Sequence, residues 1–417
     1  MRAVIQPGKL QGEIDAIVSK SSAHRMLICA AMAEGETEMN MPQTSLDIEA
    51  TVSCLRAVGA VIERENGRIK VTPAKNISDK PILDCGESGS TLRFMLPVAS
   101  VLCRKAAFTG HGRLPERPLD DLTQAMKDHG VGFSSDKLPL EISGKMRGGE
   151  YNIPGNVSSQ YITGLLLALA KEGTGSVINV IGNYESSAYV DITVASLAAF
   201  GVNVERRGNR YFIPAGTTLK SPGEVKIDTD WSNSAFFLCA GALGSDVCVR
   251  GLDFSSHQGD KAVMTLLEKL GGIAVKTENY AKIVCGGIHG CEIDISETPD
   301  LLPTLAAVAA VGSSPTRFVN AARLRLKESD RIETVAAMIE ALGGKTSQTA
   351  DSLTVLGGGL TGGTVDCAND HRIAMAAAIA ATACKGEVVL IGCECVNKSY
   401  PGFFDDFTKL GGKVNVF

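Results

Sequence analysis

The sequence predicts an α/β protein made of six similar units, three in each of two domains. Two series of helices carry that expectation. One series ends at Gly59, Gly130, Gly201, Gly271, Gly343 and Gly411, at intervals of 68 to 72 residues. The other is almost wholly apolar and begins near Ser21, Gly89, Ser158, Ser232, Pro303 and His371, at intervals of 68 to 74 residues. Self-similarity at a fixed period marks a repeated architecture. The chain of 417 residues also exceeds what one ordinary hydrophobic core holds, so two domains are the natural division.

The elements of a unit follow in order. In the first Gly-terminated copy an amphipathic segment at 54–59 leads into strands at 60–63 and 68–71. Glycine stops the helix because it takes the left-handed conformation without a Cβ penalty. Polar turns join the strand pairs: Glu65-Asn66-Gly67, Arg207-Gly208-Asn209 and Thr349-Ala350-Asp351. These are residue types that tight turns favour.

Each apolar helix follows small polar residues. Ser21-Ser22 precedes Met26-Leu27-Ile28, Gly89-Ser90-Thr91 precedes Phe94-Met95-Leu96, and Ser158-Ser159 precedes Leu165-Leu166-Leu167. In the second half Ser232-Asn233-Ser234 precedes Phe236-Phe237-Leu238, Pro303-Thr304 precedes Leu305-Ala306-Ala307, and His371-Arg372 precedes Ile373-Ala374-Met375. A helix apolar on every side must be buried, so these helices are expected inside strand layers. Three units fall before residue 226 and three after it, with Ser221-Pro222-Gly223 approaching the linker.

Composition narrows the function. Hydrophobic residues make up 44% and charged residues 21%, the balance of a soluble globular protein. No apolar run is long enough for a membrane span, and the first residues, from Met1 to Gly8, lack the apolar stretch of a secretory signal. The expected location is the cytoplasm. Twelve cysteines raise the question of disulfides or zinc. Cys393 and Cys395 form only C-x-C, and Cys29, Cys103, Cys239 and Cys384 lie in apolar surroundings. They read as buried reduced thiols, and no metal site is expected. A net charge of −5 argues against a nucleic-acid partner. An anionic small molecule needs only a local cluster of cations.

The helix starts carry more than packing needs. N–H groups at a helix N-terminus bear partial positive charge and bind phosphate readily. A single Ser there is explained as an N-cap. The cations are harder to explain, because the dipole repels them from a first turn. Lys20 and Arg25 nonetheless sit at the first apolar helix, Arg93 follows Gly89-Ser90, Arg331 follows Asp330 and Arg372 follows His371. Anions facing these helix ends resolve the conflict.

Three further segments bear on chemistry. The stiff turn Gly112-Arg113-Leu114-Pro115-Glu116-Arg117-Pro118 presents Arg117 to a carboxylate or phosphate. Asp330 and Glu333 resemble a capping pair, which leaves Lys327, Glu328 and Arg331 crowded at one helix entrance. Asp300, just after Pro299, is either an N-cap or a functional acid, and the local sequence leaves both open. Other chemistries fit poorly. Gly343-Gly344-Lys345-Thr346 fails as a P-loop because position 339 is Ile, and neither H-E-x-x-H nor G-x-S-x-G occurs.

The ordered motifs are Ser19-Lys20-Ser21-Ser22-Ala23-His24-Arg25, Gly86-Glu87-Ser88-Gly89-Ser90-Thr91-Leu92-Arg93, Glu116-Arg117-Pro118, Ser158-Ser159-Gln160-Tyr161 and Tyr189-Val190-Asp191-Ile192-Thr193. They continue with Pro299-Asp300, Lys327-Glu328-Ser329-Asp330-Arg331, Asn369-Asp370-His371-Arg372 and Lys398-Ser399-Tyr400-Pro401. Together they resemble the enolpyruvyl transferase family over essentially the whole chain, and within it the EPSP synthases. The resemblance implies two similar domains, each of three βαβαββ units with buried helices, joined by a double hinge. Residues 18–226 would form the N-terminal domain, and residues 1–17 with 227–417 the C-terminal one. In this family the substrates bind in a cleft and the domains close on them.

The implied reaction moves the enolpyruvyl group of phosphoenolpyruvate to the 5-hydroxyl of 3-phosphoshikimate through a tetrahedral intermediate. It belongs to the shikimate pathway to chorismate and the aromatic amino acids, and needs no cofactor. Carried over by position, Lys20, Gly89, Arg117, Gln160, Arg331, Arg372 and Lys398 would hold phosphoenolpyruvate. Lys20, Ser21, Arg25, Ser158, Ser159, Gln160, Ser186, Tyr189, Asp300 and Lys327 would hold 3-phosphoshikimate. Asp300 is similar to the group that takes the hydroxyl proton, and Glu328 with Lys20 to the groups that move a proton at the methylene carbon. A monomer acting on small molecules, without nucleic acid or membrane, is implied.

The physical logic agrees: crowded cations neutralise anionic substrates and the departing phosphate, and neighbouring carboxylates serve as acid and base. Two positions depart from common family residues, Glu87 in place of Asn and Arg323 in place of Asn, and bear on glyphosate sensitivity. The nearest rival is a UDP-N-acetylglucosamine enolpyruvyl transferase, whose loop commonly carries a Cys where the 110–118 segment has none. An RNA-terminal phosphate cyclase would call for a basic surface, against a pI near 5.8. A non-enzymatic anion binder would need the cations but not Asp300 and Glu328.

Overall fold

A computed structural model describes residues 1–75 and 77–417. The chain forms two compact units: Val18–Asp228, here the N unit, and Met1–Ile17 with Thr229–Phe417, here the C unit. The N unit holds α1 (Lys20–Met32), α2 (Leu46–Ala57), α3 (Gly89–Leu102), α4 (Asp120–Asp128), α5 (Ser159–Glu172) and α6 (Ser187–Ala199). The C unit holds α7 (Trp231–Ala242), α8 (Val263–Lys269), α9 (Leu302–Ala309), α10 (Arg331–Ala341), α11 (His371–Ala381) and α12 (Phe403–Lys409). The odd-numbered helices are the apolar series and are buried along nearly their whole length.

Six four-stranded sheets occur among the described residues, all with one pairing pattern. The first strand runs parallel to the second, and two antiparallel pairings follow. In the unit at Glu292–Asp294, a buried helix, α9, crosses to Thr316–Val319. The amphipathic α10 then leads to the hairpin of Thr346–Gln348 and Leu353–Val355. That is one βαβαββ repeat. Parallel strands need such a crossover, and the helix that makes it is apolar all round because it is covered on every side.

Three repeats are completed by distant segments, one of them by Gln11–Asp15, which pairs parallel with Asp246–Arg250. Arg2–Gln6 pairs antiparallel with both Val388–Ile391 and Lys413–Val416. Glu224–Val225 pairs parallel with Thr37–Asn40. The segment read as approaching a linker therefore still serves a sheet of the N unit. All six helix-ending glycines have left-handed backbone, with φ between 83° and 98°. Asn66 and Gly67, at φ 49° and 77°, make a hairpin turn with both central residues left-handed, the type whose twist suits antiparallel strands.

The apolar helices begin within one residue of the expected starts, but most of the small polar residues lie within them. Ser19, Ser88, Asp230 and Asp370 are the N-caps of α1, α3, α7 and α11. Ser21-Ser22, Gly89-Ser90-Thr91, Ser232-Asn233-Ser234 and His371-Arg372 thus lie inside first turns instead of ahead of them. Pro303-Thr304 likewise lies inside α9, which follows a short 3-10 turn at Pro299–Leu301. The correction matters, because a residue in the first turn aims its N–H along the helix axis toward a ligand. The core elsewhere follows from close helix contact. A Cβ on Gly164 of α5 would collide with the carbonyl of Arg93 in α3 and lie 3.1 Å from Pro97 Cγ. Pro97 has no N–H for that carbonyl, and Gly164 lets α5 approach it.

Candidate active site

In the N unit the first turns of α1, α3 and α5 carry the polar residues. Ser19 accepts from Ser22 N at 3.3 Å, Ser88 from Thr91 N at 3.2 Å, and Ser158 from Gln160 N at 3.3 Å. Each cap satisfies one orphan donor and frees the remaining turn for other work. Gln160 Nε2 donates to Ser90 Oγ at 3.0 Å, tying α5 to α3. Lys20 Nζ lies 2.7 Å from Asp47 Oδ2.

Arg25 stands one turn into α1 and is 3% exposed. Its guanidinium donates to Ser21 O at 2.6 Å, Thr193 Oγ1 at 2.8 Å, Tyr189 O at 2.9 Å and Thr163 Oγ1 at 3.3 Å. Phe94 covers it at 5.0 Å. All of these partners are neutral, and among the described residues no carboxylate pairs with Arg25. Burial pushes its pKa down to about 9. A cation so placed is desolvated without a counter-charge, a costly state that an anion relieves. Ser186, at the N-cap position of α6, is 2% exposed and held at φ 54°.

Arg93 and Arg117 converge on Gly89. A Cβ there would lie 2.9 Å from Arg117 Cζ and 3.0 Å from Arg93 Nη1. Glycine therefore leaves both guanidinium groups against the first turn of α3. Arg93 also donates to Pro118 O at 2.9 Å, which fixes the turn bearing Arg117. Glu87 packs on Gly112 of that same turn, and His111 Nε2 is 3.9 Å from its carboxylate.

In the C unit Arg331 is the hub. It is 1% exposed and meets three carboxylates: Asp300 and Glu328 at 2.7 Å each, and Asp370 at 2.8 Å. Arg372 reaches the other oxygen of Asp300 at 2.8 Å, and Lys327 Nζ is 3.9 Å from Asp300. Asp370 also caps α11 and accepts from Ser329 Oγ at 3.0 Å. Lys398 donates to Asn369 O at 2.7 Å. Arg323, at 7% exposure, donates to Ser296 O at 2.8 Å.

The charges set the protonation states. Burial alone would raise the Asp300 pKa, but Arg372, Lys327 and Arg331 hold it well below the usual carboxylate value. Burial likewise opposes the ionised form of Asp370, and Arg331 outweighs it. Burial pushes Lys327 down to about 8, against the pull of Asp300. Asp300 therefore does not cap a helix; it is an ionised acid clasped by cations. Arg331, expected to touch substrate, donates in this structure to Asp300, Glu328 and Asp370 and so orients all three.

Residues 4–407 match the family described as EPSP synthase (3-phosphoshikimate 1-carboxyvinyltransferase). The chain belongs to the EPSP synthase family. It is 40% identical over 415 residues to a 3-phosphoshikimate 1-carboxyvinyltransferase of Clostridium kluyveri, covering 99% of this chain and 97% of that protein. The same name and identity hold for a Clostridium acetobutylicum protein over 419 residues, with 99% and 97% covered. An EPSP synthase from Acinetobacter baumannii superposes with a TM-score of 0.82 at 25% identity, covering 100% of both chains. The enolpyruvyl transferase NikO of Streptomyces tendae shares the fold, with a TM-score of 0.80 at 18% identity over 99% and 98% of the chains.

The EPSP synthase motifs fall into these two clusters. Lys20, Ser21, Arg25, Gly89, Arg117, Ser158, Ser159, Gln160, Ser186 and Tyr189 belong to the N unit, and Asp300, Lys327, Glu328, Arg331, Arg372 and Lys398 to the C unit. Sequence reasoning missed Asp47, the partner of Lys20, and the Thr163–Thr193 pair beneath Arg25, whose hydroxyls are 2.9 Å apart. It quoted Asp370 in a motif without its role as cap and counter-ion. A signal existed for Asp370 alone: an Asp directly ahead of a cation in a helix start.

Proposed function

We propose that this chain transfers the enolpyruvyl group of phosphoenolpyruvate to the 5-hydroxyl of 3-phosphoshikimate, giving 5-enolpyruvylshikimate 3-phosphate and phosphate. The observation that carries the reading is Arg25, buried without a counter-charge beside the first turn of α1. A phosphate on the acceptor supplies the missing anion. Lys20, Ser21, Ser158, Ser159, Gln160, Ser186 and Tyr189 complete the acceptor's contacts, with Asp300 and Lys327 from the C unit. Gly89, Arg117, Gln160, Lys20, Arg331, Arg372 and Lys398 receive phosphoenolpyruvate. In this reading the chain works as a cytoplasmic monomer; no helix among the described residues is long and apolar enough to cross a membrane.

The chemistry follows from the two clusters. Asp300 takes the proton of the 5-hydroxyl as its oxygen bonds to C2 of phosphoenolpyruvate. Glu328, with Lys20, delivers a proton to C3, which becomes a methyl group. Phosphate then leaves C2 while C3 returns a proton. Arg372 clasps Asp300 in this structure. When the carboxylate of phosphoenolpyruvate draws Arg372 away, Asp300 loses a cation and becomes a better base. The cations stabilise the departing phosphate, which is where charge develops. The family and the relatives named 3-phosphoshikimate 1-carboxyvinyltransferase favour this reading over transfer to UDP-N-acetylglucosamine.

The test is turnover in D2O followed by proton NMR. Protonation at C3 followed by loss of a proton from the methyl group places deuterium in the product's methylene. A product free of deuterium would exclude the route through a methyl intermediate. Glu328→Gln should suppress the incorporation.

A further inference from the structure

Behind the acceptor site of the N unit lies a buried polar chain that the reaction itself does not use. His24 is fully buried in α1, one residue before Arg25. Its Nδ1 is 2.7 Å from Thr51 Oγ1 of α2. Thr51 Oγ1 is 2.7 Å from Thr91 Oγ1 of α3. Thr91 Oγ1 reaches Ser88 Oγ, the cap of α3, at 2.8 Å and the carbonyl of Asp47 at 3.3 Å. Asp47 is in turn the partner of Lys20. The chain thus links the first two turns of α1, α2 and α3 and ends at the residue that holds a predicted substrate contact.

We propose that His24 is a positioning residue that heads this chain and fixes α1, with Lys20, Ser21 and Arg25, against α2 and α3. The proposal rests on the reading of Arg25 as the acceptor's phosphate anchor. Burial, then the charges of Lys20 and Arg25, keep His24 neutral, so it carries one ring proton. Among the described residues Nε2 has no hydrogen-bond partner. Placing the proton on Nδ1 leaves a lone pair on Nε2 instead of an N–H, the more tolerable orphan. The chain then runs one way: His24 donates to Thr51, Thr51 to Thr91, and Thr91 to Ser88. Hydrogen bonds aligned in one sense reinforce one another in a low-dielectric interior. His24 acts on Arg25 by a second route as well. Its ring meets Phe94 edge-on, with centroids 6.3 Å apart, and Phe94 lies 5.0 Å from the Arg25 guanidinium.

A purely structural histidine would be a poor choice in this place. Leucine fills a similar volume and leaves no orphaned nitrogen in an apolar interior, so stability alone argues against His24. The natural residue is explained if its value lies in alignment.

The experiment compares His24→Leu, His24→Asn and Thr51→Val in the full chain. Each is assayed for phosphate release with phosphoenolpyruvate and 3-phosphoshikimate, and melted by circular dichroism. His24→Leu should melt at or above the wild-type temperature. Its KM for 3-phosphoshikimate should rise by roughly 2- to 12-fold, the span of one net hydrogen bond, with kcat little changed. His24→Asn, whose amide N–H stands in for Nδ1–H, should restore the wild-type KM. Thr51→Val should copy His24→Leu, and the double variant should be no worse than either. An unchanged KM in His24→Leu would overturn the proposal, as would failure of His24→Asn to rescue or multiplying effects of the two single changes. A wild-type chain that releases no phosphate would instead overturn the functional reading.

Discussion

Replacing Arg25 by Met separates the cost of a buried cation from its use. The side chains have similar length, but Met brings no charge to a site that is 3% exposed. In the free protein two terms oppose one another: four hydrogen bonds are lost and an uncompensated charge is removed. The diagnostic quantity is therefore the stabilisation that 3-phosphoshikimate adds. At a ligand concentration of about 100 Kd, binding to the native state adds about 2.7 kcal/mol. Losing a charged hydrogen bond costs roughly 1.5–3 kcal/mol, or about 10- to 150-fold in affinity. With Kd weakened about 30-fold, the same concentration adds only about 0.9 kcal/mol. At about 2–4 °C per kcal/mol for a unit of this size, the melting shift falls from about 5–11 °C to about 2–4 °C. Differential scanning fluorimetry with and without 3-phosphoshikimate measures it. A full shift in Arg25→Met would mean that the acceptor's phosphate binds elsewhere.

Three further outcomes follow from the geometry. Asp300→Asn and Glu328→Gln should each lower kcat by about a hundred- to ten-thousand-fold. Neither should raise the KM for phosphoenolpyruvate, because Arg372 and Arg331 lose competing carboxylates; steady-state kinetics decides. Gly89→Ala drives a methyl group into the Arg117 guanidinium. The KM for phosphoenolpyruvate should rise about tenfold or more, the scale of a displaced charge-assisted contact, while the melting temperature barely moves. Asp300 and Asp370 have depressed folded pKa values. Their stabilisation is therefore present above the unfolded carboxyl value near 3.9 and is lost as pH falls through the folded values. Melting temperature should drop steeply below about pH 4. Asp370→Asn should flatten that drop and cost about 3 kcal/mol at neutral pH, the lower end for a broken buried pair, since Arg331 keeps Asp300 and Glu328.

Much of this was legible in the sequence for definite reasons. A buried crossover helix must be apolar all round and a helix-ending Gly must be left-handed, so the six repeats announced themselves. Caps were harder: Ser19 and Ser88 look no different from Ser21 and Ser90 until the first N–H groups are placed. Asp300 could not be told from a cap, because only the fold brings Arg331 and Arg372 onto its two oxygens. Asp47 carried no local signal, since its partner Lys20 belongs to another helix. The cation-rich first turns were expected to face external anions. In this structure Lys20, Arg331 and Arg372 meet protein carboxylates, and Arg25 keeps only neutral partners.

The central claim is tested most directly by phosphate release. The chain should release phosphate from phosphoenolpyruvate only when 3-phosphoshikimate is present, in equimolar amount with 5-enolpyruvylshikimate 3-phosphate. Replacing 3-phosphoshikimate by UDP-N-acetylglucosamine should give none. Equal release with the nucleotide sugar, or release with phosphoenolpyruvate alone, would contradict the account.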